Sequence, residues 1–139
     1  MTVSTVLVDT GALVALARRT DQYHDRAVEI ARRMLARGGR LVGTALVLAE
    51  THNHLLRASG PERARAVTSA LLQDPSYEWL DASTALVREA VSRWLERFGD
   101  QTFSLTDAVS FEVMRRQHLS TAFAFDEHFV TAGFALLAP

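Results

Sequence analysis

A chain of 139 residues with 48% hydrophobic and 22% charged residues carries enough apolar material for one autonomous core and falls outside the disordered class. Its net charge of -1 gives no long-range attraction for nucleic acid, so a nucleic-acid partner would need a local basic surface; all fifteen basic residues are arginine. With no cysteine, disulfides, thiolate catalysis and sulfur-built zinc sites are excluded, and any metal must be held by oxygen or imidazole.

Taken in chain order, Ser4 to Val8 is a short β-branched apolar run that reads as a buried strand, leaving the sheet into a helix at Asp9-Thr10-Gly11. Apolar Ala27, Ile30, Ala31, Met34 and Leu35 recur at helical spacing, predicting a helix over Gln22 to Arg37 that Gly38-Gly39 stops. Leu41 and Val42 begin a second strand. Leu46 to Ala58 and Glu62 to Leu72 read as a helical hairpin broken at Gly60-Pro61, followed by an Asp74-Pro75 turn.

Tyr77 to Leu80 suits a strand, Asp81 or Ser83 can cap a helix over Ala85 to Phe98, and Ser104 can cap another through Gln117. Thr121 to Phe125 is the next strand, followed by a helical turn near His128, a reversal at Gly133 and an edge strand over Ala135 to Leu137. Strands alternating with helices predict an α/β fold: a mainly parallel central sheet with helices on both faces, in a single domain spanning residues 1–139. No basic leader and no apolar stretch near the roughly 20 residues of a membrane helix are present, which points to a cytoplasmic protein.

Ligands bind open parallel sheets beyond the carboxyl ends of the strands. Asp9 and Asp126 directly follow two of the predicted strands, while Glu50 and Asp107 lie near the starts of two helices. If those helices begin at the same edge, four acids from distant segments converge there. Like charges about 4 Å apart repel by roughly 4 kcal/mol per pair at an effective dielectric near 20, so such a cluster demands protonation or a cation. Hard oxygen donors favour magnesium or manganese. Taken singly, each acid is better explained as a helix cap or a complement to the helix dipole.

The segments VLVDTGALVAL around Asp9, LVLAETHNHLLR around Glu50, SLTDAVSFEVMRR around Asp107 and AFAFDEHFVTAGF around Asp126 together resemble the PIN-domain family, in particular the VapC-type toxins of toxin–antitoxin pairs. The resemblance implies a three-layer α/β sandwich in which Asp9, Glu50, Asp107 and Asp126 bind Mg2+, or Mn2+, and hydrolyse RNA phosphodiesters. It also implies that Thr10 and Thr106 support metal, water or phosphate, that the protein dimerises, and that an antitoxin protein obstructs its site. An RNA-processing nuclease without an antitoxin, or a noncatalytic binding module, would carry a similar sequence. A phosphoaspartate reading of Asp9-Thr10-Gly11 is weaker, because Gly11 stands where a second acid would be needed.

Beside Glu50, the residues Asn53, His54 and Arg57 follow on one helix face, a stripe that can contact RNA or simply face solvent, with Arg57 as first choice for a phosphate. Arg115 and Arg116 complement the dipole at a helix C-terminus. His24, His52, His118 and His128 share no metal-binding spacing, so histidine ligation is not expected; His128 reads as packing or a local backbone bond, and Glu127 as supporting or exposed. The helices bearing Val47, Leu48, Leu55, Leu71 and Leu72 carry apolar surface suited to the core, a homodimer or an antitoxin.

Overall fold

The computed structural model describes residues 4–138, so the ends of the expected 1–139 domain, residues 1–3 and 139, lie outside the described residues. Five strands form one wholly parallel sheet: β1 (Thr5–Val8), β2 (Arg40–Thr44), β3 (Tyr77–Leu80), β4 (Thr121–Phe123) and β5 (Ala135–Leu136), in the order β3-β2-β1-β4-β5. Parallel neighbours require crossovers, and the chain supplies helices for them: α1 (Thr10–Ala17), α2 (His24–Ala36), α3 (Ala45–Ser59), α4 (Pro61–Gln73), α5 (Thr84–Ala90), α6 (Leu105–Arg116) and α7 (His128–Thr131).

Both sheet faces are covered, and the strands show why. Val6 and Val8 point to one core with Leu41 and Phe123, whereas Leu7 points to the other with Val42 and Ala122, as the two-residue repeat of a strand dictates. The first core is closed by Ala12, Leu13 and Ala15 of α1, Ala27, Ile30 and Met34 of α2, and Val47 of α3. The second is closed by Leu86 and Ala90 of α5, Trp94, and Val109, Phe111 and Val113 of α6. The expected three layers follow from that division.

The expected elements hold with local differences. The helix expected over Ala85 to Phe98 is α5 running on into a π-helical stretch, Val91–Glu96, that contains the buried Trp94. Ser83, rather than Asp81, caps it, accepting from the Leu86 N–H at 3.1 Å. Strand β4 stops at Phe123, two residues before the expected end, because its partner β1 stops too: the Asp9 N–H donates to the Phe123 carbonyl at 3.0 Å and α1 begins at Thr10. Past that point there is no strand left to pair with. Gly60 joins α3 to α4 at φ 90°, a conformation L side chains avoid, and Pro61 opens α4 as a residue with no N–H to leave unsatisfied. At Gly43 a Cβ would come within 2.6 Å of the Trp79 ring, so only glycine admits that ring against β2. No described helix is long and apolar enough to cross a membrane.

Candidate active site

A cavity of about 570 Å3 opens at the carboxyl edge of the sheet and is lined by Asp9, Glu50, Asp107 and Asp126 together. Asp9 emerges from β1, Glu50 from α3, Asp107 from the first turn of α6 and Asp126 from the loop after β4. The convergence expected from strand and helix ends is therefore present in three dimensions.

The four acids are held differently. Asp9 occupies the N-cap position of α1, yet its side chain makes no capping hydrogen bond, so the simple structural role for an Asp at this place is unfilled. Only 6% of Asp9 is exposed. Burial, the neighbouring charge of Asp107 and the more distant charges of Asp126 and Glu50 raise its pKa to about 7, against the lowering effect of the nearby Thr10 N–H. Asp107, by contrast, serves the helix as well as the cavity. It forms a capping box with Ser104, whose N–H donates to Asp107 Oδ2 at 3.1 Å while the Asp107 N–H donates to Ser104 Oγ at 3.0 Å. Glu50 and Asp126 are exposed at the mouth.

His128 lines this site, beyond the packing and local backbone bond expected of it. Its Nδ1 lies 3.1 Å from Asp107 Oδ2 and 3.4 Å from Asp126 Oδ1, and its backbone N–H donates to Asp126 Oδ1 at 2.9 Å. The local backbone bond foreseen for it is real, and so is its packing, edge-on to Phe103 with ring centroids 5.3 Å apart. Ligand atoms of Asp107, Asp126 and His128 all fall within 4.8 Å of one another, close enough to share one cation. Asp9 and Glu50 face the same cavity from outside that compact trio.

The donor chemistry fits a divalent cation. Among the described residues no arginine pairs with any of the four acids. Thr10 Oγ1 is buried without a hydrogen-bond partner on the cavity wall, an orphan that a coordinated water or a phosphate oxygen would satisfy. Hard oxygen donors, one imidazole nitrogen and an excess of negative charge describe a site for a small, hard dication.

Of the other residues singled out in the sequence, Thr10 lines the cavity, while the half-buried Thr106 does not. Asn53 and Arg57 are exposed on α3 and lie off the cavity wall, which His54 reaches instead. Tyr23, Phe125 and Thr102 line the cavity without having been foreseen. Phe125 and His128 flank Asp126 in the sequence, and that adjacency was their one available signal. Arg115 and Arg116 end α6 as expected, but they also pair with the buried Glu112 at 2.7 and 2.9 Å. Val47 and Leu55 are core residues, while Leu56 and Leu72 are the exposed apolar residues of α3 and α4.

With this geometry in hand, comparison with known proteins is direct. The family model described as PIN domain matches residues 6–135. The 23S rRNA-specific endonuclease VapC20 of Mycobacterium tuberculosis is 35% identical over 135 residues, which cover 96% of this chain and 98% of that protein. The crystal structure of Mycobacterium tuberculosis VapC20, described as a Sarcin-Ricin loop cleaving toxin, superposes with a TM-score of 0.85 at 30% identity, covering 96% of this chain and 99% of that one. VapBC2 from Rickettsia felis, bound to a DNA fragment from its promoter, has a TM-score of 0.69 at 17% identity over 95% of this chain and 96% of its own. FitAcB from Neisseria gonorrhoeae has a TM-score of 0.66 at 18% identity over 96% and 97%. These last two are similar in fold.

Proposed function

Since this chain belongs to the PIN-domain family, we propose that it is a divalent-metal endoribonuclease that hydrolyses RNA phosphodiester bonds and acts as the toxin of a toxin–antitoxin pair. The observation that carries the reading is Asp9: a buried carboxylate with its pKa raised to about 7, facing three other acids in one cavity, with no arginine among the described residues to balance it. A carboxylate so placed is unfavourable until a cation arrives.

Asp9, Glu50, Asp107 and Asp126 hold the metal in this reading, and His128 fixes Asp107 and Asp126 relative to each other through its ring and backbone N–H. Mg2+ is the natural occupant of so oxygen-rich a site, and the His128 nitrogen at its margin admits Mn2+ as well. The bound dication supplies charge stabilisation to the phosphoryl group and activation of water for attack. The protein's own part is orientation. Ser104 locks Asp107 at the helix start, and Thr10 offers its free hydroxyl to water or phosphate. Asn53 and Arg57 contact the RNA strand beyond the cavity mouth.

The relative's substrate suggests 23S rRNA as the first RNA to try. The chain works as a single domain, because β1 and β5, from opposite ends, share one sheet. Exposed Leu56 and Leu72 on α3 and α4 offer apolar surface to an antitoxin or a second copy. The protein acts in the cytoplasm, where its RNA is found. Purified protein incubated with 23S rRNA should cut it in Mg2+ or Mn2+ and not in chelator, and Asp9→Asn and Asp107→Asn should lose that activity while remaining folded. Undiminished cutting by both variants contradicts the assignment. Growth arrest on expression, relieved by a co-expressed neighbouring gene product, separates a toxin from an RNA-processing enzyme.

A further inference from the structure

An acidic cavity that takes RNA needs something other than acids to hold the strand, and among the described residues no arginine lines this one. Two aromatic residues do. Tyr23, at the N-cap of α2, and Phe125, immediately before Asp126, stack with ring centroids 4.5 Å apart and planes 6° from parallel. Both line the cavity and both are half-buried. The exposed Arg26, one turn into α2, places its guanidinium carbon 5.9 Å from the Tyr23 centroid and 5.6 Å from that of Phe125. It is thereby the positive charge held against the cavity's aromatic wall.

We infer that Tyr23, Phe125 and Arg26 form a nucleobase subsite that stacks an unpaired base of the RNA beside the cleaved phosphate; this deepens, and rests on, the endoribonuclease reading. Three observations support it. Single-stranded RNA is bound by stacking its bases on aromatic rings and guanidinium planes, and this trio presents both. Phe125 is the chain neighbour of Asp126, about 4 Å away between Cα atoms, so the ring stands beside the carboxylates where a base joined to the bound phosphate would lie. The ordering is also local: the Tyr23 N–H donates to Asp21 Oδ1 at 2.8 Å, and Arg26 braces both rings, so the platform exists before substrate arrives. Pre-ordered rings lose little freedom on binding. Core packing accounts for the inner edges of these rings, which lie against the α1–α2 core, but not for their place on the cavity wall.

The test uses a sarcin–ricin-loop RNA and a series in which each nucleotide near the cut is replaced by an abasic one. Binding is read by fluorescence anisotropy in an Asp107→Asn background, and cleavage is read separately with the parent protein in Mn2+. One abasic position should weaken binding by roughly 5- to 150-fold, the range of a single base–aromatic stack. Tyr23→Leu, which keeps apolar bulk without a ring, should weaken binding of the intact RNA to a similar extent. It should also abolish the penalty of that abasic position, whereas Tyr23→Phe should retain the penalty. Arg26→Ala should weaken binding less and flatten its salt dependence. Thermal unfolding checks that each variant is folded; if Tyr23→Leu is not, Phe125→Leu takes its place. Abasic penalties that are the same with and without the ring overturn the subsite. Intact coupling in the Asp107→Asn background, together with a parent protein that cuts no RNA in Mn2+, would instead overturn the nuclease reading and leave the subsite standing.

Discussion

Two buried carboxylates, Asp9 at the carboxyl edge of the sheet and Glu112 further along α6, meet opposite fates. Glu112, in the middle of α6, has no exposed surface, and burial alone would push its carboxyl up. Hydrogen bonds from Arg115, Arg116 and Trp94 outweigh that effect and hold its pKa down at about 2. Arg93 adds a fourth contact at 3.3 Å. Asp9 is almost as buried, but its neighbours are Asp107, Asp126 and Glu50, and its pKa rises to about 7. Burial is common to both; the company differs. A buried acid surrounded by its own counter-charges is part of the scaffold, and one surrounded by other acids is a site awaiting a cation.

The sharpest way to break this contrast is by activity. Asp9→Asn or Asp107→Asn should lower RNA cleavage by on the order of 10³-fold, close to 4 kcal/mol in barrier, whereas Glu112→Gln, assayed well below its melting temperature, should cleave within about threefold of the parent. Gel-based cleavage rates decide it.

Next in size is the pH dependence of stability in chelator. Asp9 has an ordinary value of 3.8 and a folded value of about 7, so between these the folded protein holds a proton that the unfolded chain releases. Unfolding free energy should therefore fall as pH rises from about 4 to about 7 and level off above, by on the order of 4 kcal/mol. Asp9→Asn should remove that slope. Glu112 has the reverse sign: its folded pKa is depressed from 4.5 to about 2, so its contribution is complete above about 4.5 and lost as pH falls toward 2. Urea titrations across pH 4 to 8 test the first statement, and extending them downward tests the second.

Smaller again is the effect of Glu112→Gln on stability at neutral pH, a loss of about 3 kcal/mol, because three arginines and Trp94 lose the charge they surround. Smallest is Arg57→Ala. An exposed arginine off the cavity wall should raise KM for RNA by only about threefold, the scale of a solvent-screened contact.

Much of this was legible in the sequence. Asp9 and Asp126 follow strands whose apolar runs are plain, so period alone places those two acids at one edge, while Ser104 announces the helix that presents Asp107 but not the edge at which that helix begins. Glu50 required the length of α3 and the direction of its strand. What the sequence concealed were contacts between distant segments. Tyr23 meets Phe125 only because β4 lies beside β1 and so brings its trailing loop against the turn before α2. Histidine spacing carries no sign of the part His128 plays, because its partners are carboxylates, one of them on α6. Glu112 carries no local signal of its burial in the sequence, because its partner Trp94 lies on a separate element eighteen residues earlier. Asn53 and Arg57 share a helix face with Glu50, yet the cavity ends at His54.

Whether the uncompensated acids are a cation site is decided by calorimetric titration of Mn2+ into the parent protein and into Asp107→Asn. Mn2+ should bind the parent saturably, more weakly as pH is lowered through about 7 and Asp9 takes up its proton, and should not bind the variant. Equal, pH-independent binding by both proteins, or none by the parent at pH 8, would contradict a cation site.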